Sequence, residues 1–257
     1  MFVEPQRTQY DLNFELFGIP VRVSPWFWLL AILLGMSNSG ARELMIWVAA
    51  VFVSILIHEL GHAWVIRYYG WTPRIVLCSF GGLAVYDPSF APWQSGRRVR
   101  QSGAKQILIS LAGPGAGFVF ASLIVAMLFL TNRFVPFPIV RTLGTPLGTF
   151  LEGPLGLMAF DLLQVNIFWG ILNLMPIYPL DGGQVARELF LANSRDGVRQ
   201  SLTLSFVTAA GLAIFALLQL HATYMAFMFG YMAYVNYTQL SGPYGGGFGG
   251  FGGNRPW

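Results

Sequence analysis

Apolar runs alternate with short polar, arginine-bearing segments along most of the chain, and the run lengths set the first expectations. The run over 43–66 has 24 residues. As a helix it reaches ~36 Å, enough to cross the ~30 Å hydrocarbon core of a bilayer. Runs over 106–131 and 155–175 read the same way. A first run, 21–36, has 16 residues, short of the ~20 a span needs. It is expected to span, with an interfacial or re-entrant helix as the alternative. Residues 202–240 are nearly all apolar. One helix there would reach ~58 Å, about twice the hydrocarbon thickness, so a turn is expected at Gln219, His221 and Thr223. Six spans result.

The segments between the runs carry other signals. Residues 72–86 are apolar and β-branched, broken at Gly81-Gly82, which predicts two short strands hinged at the glycines. Inside the third run lies Gly113-Pro114-Gly115-Ala116-Gly117. Small residues let helices approach closely in lipid, and the proline requires a kink or a neighbour. The fourth run is unusual for Asp161, Gln164, Asn166 and Asn173. Pro176 and Pro179 forbid a regular helix up to Asp181, and 184–200 reads as a polar loop. The expected fold is an all-α polytopic membrane protein of about six transmembrane helices. A short membrane-associated β-hairpin or sheet follows the second span. The expected organisation is a cytoplasmic segment over 1–20, one membrane domain over 21–240 and a disordered Gly/Phe-rich tail over 241–257.

Composition agrees with a membrane protein: 10% of residues are charged, against roughly 25% in soluble domains. The net charge of +4 comes almost wholly from arginine, Lys105 being the only lysine. Loop arginines account for that charge, so no nucleic-acid partner is expected. With the N-terminus inside, twelve of the 15 basic residues fall on inner segments, which predicts that both termini are cytoplasmic. Residues 1–16 show no basic flank leading into an apolar core, so no cleavable signal peptide is expected. One cysteine, Cys78, excludes an internal disulfide and a cysteine-based zinc site.

The chemistry centres on His58-Glu59-Leu60-Gly61-His62, inside the second run and towards its cytoplasmic end. Helix positions four apart share a face, so both imidazoles can reach one ion. Glu59 then stands beside the ion as a general base. A catalytic zinc site takes three protein ligands and leaves one position open. His221 falls at the outer end of its span and is a poor third ligand. Asp181, at the inner end and held between a proline stretch and Gly182-Gly183, is the better candidate. A water polarised by the ion would lose its proton to Glu59 and attack a peptide carbonyl. Two histidines and a glutamate in an apolar span are expensive without such a role.

These residues resemble a known family. His58-Glu-Leu-Gly-His62 in a span, followed by Asn173-Leu-Met-Pro176-Ile-Tyr-Pro179-Leu-Asp181-Gly-Gly183, is similar to the site-2 proteases, intramembrane zinc metalloproteases of regulated intramembrane proteolysis. Phe17-Gly-Ile-Pro20, Phe80-Gly81-Gly82 and Ala112-Gly113-Pro114 also match, and the likeness covers about 15–240. The resemblance implies one Zn2+ held by His58, His62 and Asp181, with Glu59 as catalytic base and the glycine-rich strands holding an extended substrate. It further implies a transmembrane protein substrate, such as an anti-sigma factor or another membrane-tethered regulator, in a bacterial inner membrane. Two departures stand out: Gly117 replaces an asparagine usual in the family, and no PDZ or CBS domain is expected, which makes this a minimal form. The alternative function is a zinc-binding membrane protein without proteolysis, a metal sensor or carrier. The intact Glu59 disfavours it.

Overall fold

The computed structural model describes residues 6–36, 40–78, 81–86, 93–94, 97–98, 102–131 and 153–241. Phe80, the 132–152 part of the Pro/Gly loop and the tail from 242 lie outside the described residues, as do the side chains of the arginine run 97–100. The chain divides into two compact units, Met1–Asn173 and Leu174–Trp257.

The first unit begins with strands β1 (Leu12–Leu16) and β2 (Ile19–Val23) and the short helix α1 (Pro25–Gly35). Helix α2 (Ala41–Tyr68) follows, then β3 (Arg74–Cys78) and β4 (Gly81–Val85). Two-residue strands β5 (Trp93–Gln94) and β6 (Arg97–Arg98) lead to helices α3 (Gly103–Leu130) and α4 (Pro154–Asn173). The main sheet has the order β1-β2-β3-β4. Its β2 and β3 run parallel, with α1 and α2 as the crossover between them, and the outer pairs are antiparallel.

The N-terminal strands were not expected from the sequence. Ile19, Val21 and Val23 alternate inward and are almost fully buried. They pack with Ile75 and Leu77 of β3 against Phe27, Val51 and Ile55 of the first two helices. Pro25 at the start of α1 holds Ser24 extended, which ends the strand before the helix begins. The hairpin is tied twice more. Arg67 donates to the Phe17 carbonyl at 2.6 Å, and Arg22 pairs with Asp11 at 3.1 Å. The Thr8 hydroxyl, the Thr8 backbone N–H and Arg22 hold the Asp11 carboxyl below its ordinary range.

Helices α2, α3 and α4 pack pairwise against one another. The second unit holds α5 (Asp181–Asn193), α6 (Gly197–Leu218) and α7 (Thr223–Ser241), with α5 on α6 and α6 on α7. The α6–α7 turn falls at 219–222, where a turn is expected. Helix α5 replaces an expected polar loop. Paired glycines argue against a helix, yet here they let its first turn pack on neighbouring backbone.

Among the described residues four helices, α2, α3, α4 and α6, are long and apolar enough to cross a membrane, against the six spans expected. Because β2 takes the start of the first apolar run, α1 keeps 11 residues and reaches only ~16 Å. Helix α7 has 19 residues, but its tyrosines and Asn236 dilute its apolar character.

Candidate metal centre

Helices α2 and α3 cross where both are nearly bare. A Cβ on Gly61 would strike the Ala112 carbonyl and the Ala116 methyl, so the glycine inside the pentapeptide is what lets the backbones meet. The crossing lays α3 along the face of α2 that carries His58 and His62. Their Nε2 atoms lie 3.1 Å apart, with ring centroids at 4.9 Å. Two nitrogens each ~2.0–2.1 Å from a tetrahedral zinc would be ~3.3 Å apart.

The histidine tautomer follows from its neighbour. His62 Nδ1 is 2.6 Å from the carbonyl of Ile109. A carbonyl only accepts, so Nδ1 carries the hydrogen and Nε2 keeps its lone pair. A histidine ligand whose second nitrogen donates to a carbonyl is a recurrent metal-site arrangement. Ile109 lies in the helical turn just before Pro114, and α3 stays open at Gly113. A Cβ there would overlap the His62 ring and come within 2.7 Å of His58 Nε2. That space is filled by imidazole edges.

The donor atoms of His58, Glu59 and His62 lie within 4.8 Å of one another, and all three residues are buried. Two imidazoles and a carboxylate, in a cradle left by a missing side chain, fit zinc. Strand β4 closes the site from the side of Glu59. A Cβ on Gly82 would overlap the Glu59 carboxyl group, so the strand backbone lies directly on that side chain. Gly81 has φ +112°, a conformation that favours glycine, and a Cβ there would sit 3.1 Å from the Trp169 ring of α4.

One turn before His58, buried Ser54 accepts a hydrogen bond of 2.8 Å from Asn166 Nδ2 of α4. The same amide donates to Leu162 O at 2.7 Å. Its Oδ1 is 3.3 Å from where a Gly117 Cβ would stand. This chain therefore carries an amide from α4 beside the position where the resembling family carries an asparagine on the third span.

Of the residues expected at the site, the first unit brings His58, Glu59 and His62 together. Asp181 is the first residue of α5 in the second unit and is buried. His221 is exposed in the α6–α7 turn with φ 49°. The roles of Gly113, Gly82 and Ile109 escaped the sequence. Gly113 signalled close helix packing and Gly82 a strand hinge, but only the fold shows that they lie against the histidine pair and against Glu59.

Residues 46–218 match the family model Peptidase family M50. A zinc metalloprotease of Methanocaldococcus jannaschii is 26% identical over 209 residues, 80% of this chain and 52% of the relative. Stage IV sporulation protein FB of Bacillus subtilis is 25% identical over 175 residues, 67% of this chain and 48% of the relative. The chain thus spans about half the length of each. The site-2 protease from Methanocaldococcus jannaschii shares the fold, with a TM-score of 0.55 at 23% identity over 89% of this chain and 94% of that one.

Proposed function

The chain belongs to peptidase family M50, and from that premise we propose that it is a zinc endopeptidase cutting a transmembrane protein inside the bilayer, near the cytoplasmic face. The observation that carries the reading is the buried His58–His62 pair, nitrogens 3.1 Å apart, with Glu59 beside it in an apolar helix. His58 and His62 would hold one zinc ion, with Asp181 as the third protein ligand. When bound, zinc supplies a Lewis acid for the attacking water and the scissile carbonyl. Glu59 takes the proton of that water and returns it to the departing amine. Ile109 keeps His62 in its ligating tautomer, and Gly113 leaves the imidazoles their room.

A substrate helix hides its carbonyls in its own hydrogen bonds, so cleavage needs local unwinding. Strand β4 has one neighbour, β3, in the sheet of described residues. An extended substrate segment added along its other edge recovers the freed hydrogen bonds and runs past Glu59. A membrane-tethered regulator, such as an anti-sigma factor, fits this chemistry as substrate. The arginine distribution supports cytoplasmic termini.

The competing reading, a metal sensor or carrier, makes Glu59 dispensable. Glu59→Gln separates the two. In purified protein reconstituted into liposomes, zinc content should stay at one ion per chain while cleavage of a membrane substrate falls by about 10²–10⁴-fold. Undiminished cleavage would reject the protease mechanism.

A further inference from the structure

The chain between α4 and α5 carries no regular structure and delivers Asp181 to the first position of α5. Three residues before Asp181, the peptide groups on both sides of Tyr178 are gripped by side chains. The Tyr178 N–H donates to Ser205 Oγ of α6 at 2.9 Å, and the Tyr178 carbonyl accepts from Asn236 Nδ2 of α7 at 2.7 Å. Ser205 is 1% exposed and Asn236 0%.

The direction of each bond is fixed. The Ser205 hydroxyl gives its own proton to the Ser201 carbonyl at 2.8 Å, which leaves its lone pair for Tyr178. Asn236 gives its other amide hydrogen to the Met232 carbonyl at 2.8 Å. Two carbonyl acceptors require the NH2 group there. The loop's far side is fixed by backbone packing. A Cβ on Gly182 would strike the Leu174 and Met175 carbonyls, and one on Gly183 would strike the backbone of Ile177 and Tyr178. Asp181 thus sits between a two-sided clamp and a first helical turn with no room to slide.

We infer that Ser205 and Asn236 are positioning residues for Asp181: by holding the Tyr178 peptide groups, they set the carboxylate where the metal takes it. Two fully buried polar side chains, both holding one loop residue, are explained by that task. The inference rests on the proposed role of Asp181 as a ligand.

The test uses the full chain in nanodiscs loaded with Co2+, whose visible absorption reports its ligand set, with affinities from chelator competition. Ser205→Ala and Asn236→Leu should each weaken Co2+ binding by about 10-fold and shift the visible bands. Ser205→Thr, which keeps the hydroxyl, should restore both. Asn236→Ala carries the comparison if the leucine variant does not fold. In an Asp181→Asn background the same substitutions should change affinity less than ~2-fold, because the group they position no longer ligates. Unchanged affinity and spectrum in the Asp181 parent would overturn the inference, as would an equal loss in both backgrounds, which marks a merely structural role. If Asp181→Asn alone leaves affinity and spectrum intact, the ligand assignment itself falls, and the clamp with it.

Discussion

Gly113→Ala is the substitution whose local and site-level effects point in opposite directions. Gly113 lies inside α3, where alanine is the better helix former by about 1 kcal/mol. A Cβ there would stand 2.7 Å from His58 Nε2 and nearer still to the His62 ring. Ordinary contact needs ~3.5 Å, so the imidazoles must retreat by on the order of 1 Å. They have little freedom to do so, because His62 Nδ1 is tied to the Ile109 carbonyl and Gly61 holds the α2–α3 crossing close. Displaced ligands should lower zinc affinity by about 10–100-fold, the range seen when a metal site's supporting contacts are lost. Gly115→Ala is the internal control, since a Cβ there meets nothing within 4 Å. The assay is zinc affinity by chelator competition on folded protein, with helicity followed by circular dichroism. The reasoning predicts weak binding for Gly113→Ala and parental binding for Gly115→Ala. Equal, undiminished affinity in both would refute it.

Other outcomes follow from the same contacts. Gly82→Val suits a strand but collides with the Glu59 carboxyl, so cleavage should fall ~10²-fold with zinc content unchanged. Asn166→Leu removes the donor to Ser54 and should lower stability by about 1 kcal/mol, read as the thermal midpoint of the zinc-bound protein. Zinc at 100 times its Kd should stabilise the folded chain by ~2.7 kcal/mol, and His58→Ala/His62→Ala protein should show no such rise. Asp11 has a depressed folded-state pKa, so its stabilising effect is present above its ordinary value of 3.8 and lost as pH falls through the folded one. Asp11→Asn should therefore lower the thermal midpoint at pH 7, and the gap to the parent should close in acid.

What the sequence made legible was local. His58 and His62 sit one helical turn apart, so their convergence needs only the period of a helix, and Glu59 travels with them. The long runs behind α2, α3 and α4 declare themselves by length. The hinge at Gly81-Gly82 marked β3 and β4 for the same reason. Features that depend on distant pairing were hidden. Strand β2 earns its place by pairing with β3 some fifty residues later, and its Val21 and Val23 read as the start of a span until that partner is known. The first span shrank to α1 in consequence. In α5, Gly182 and Gly183 concealed a helix because their value lies in packing rather than propensity. Gly113 read as a helix-packing glycine, and its partner proves to be the histidine pair itself.

Glu59→Gln protein in native membranes offers a trap for bound substrates, which mass spectrometry can identify. Feeding a trapped span to zinc-loaded wild-type protein in liposomes made with H2(18)O then tests hydrolysis inside the bilayer most directly. The prediction is a new C-terminal carboxylate carrying (18)O, at a bond within the span near its cytoplasmic end, and its loss on chelation with recovery on added zinc. A span left intact by the zinc-loaded protein, or cut equally well after chelation, would contradict an intramembrane zinc endopeptidase.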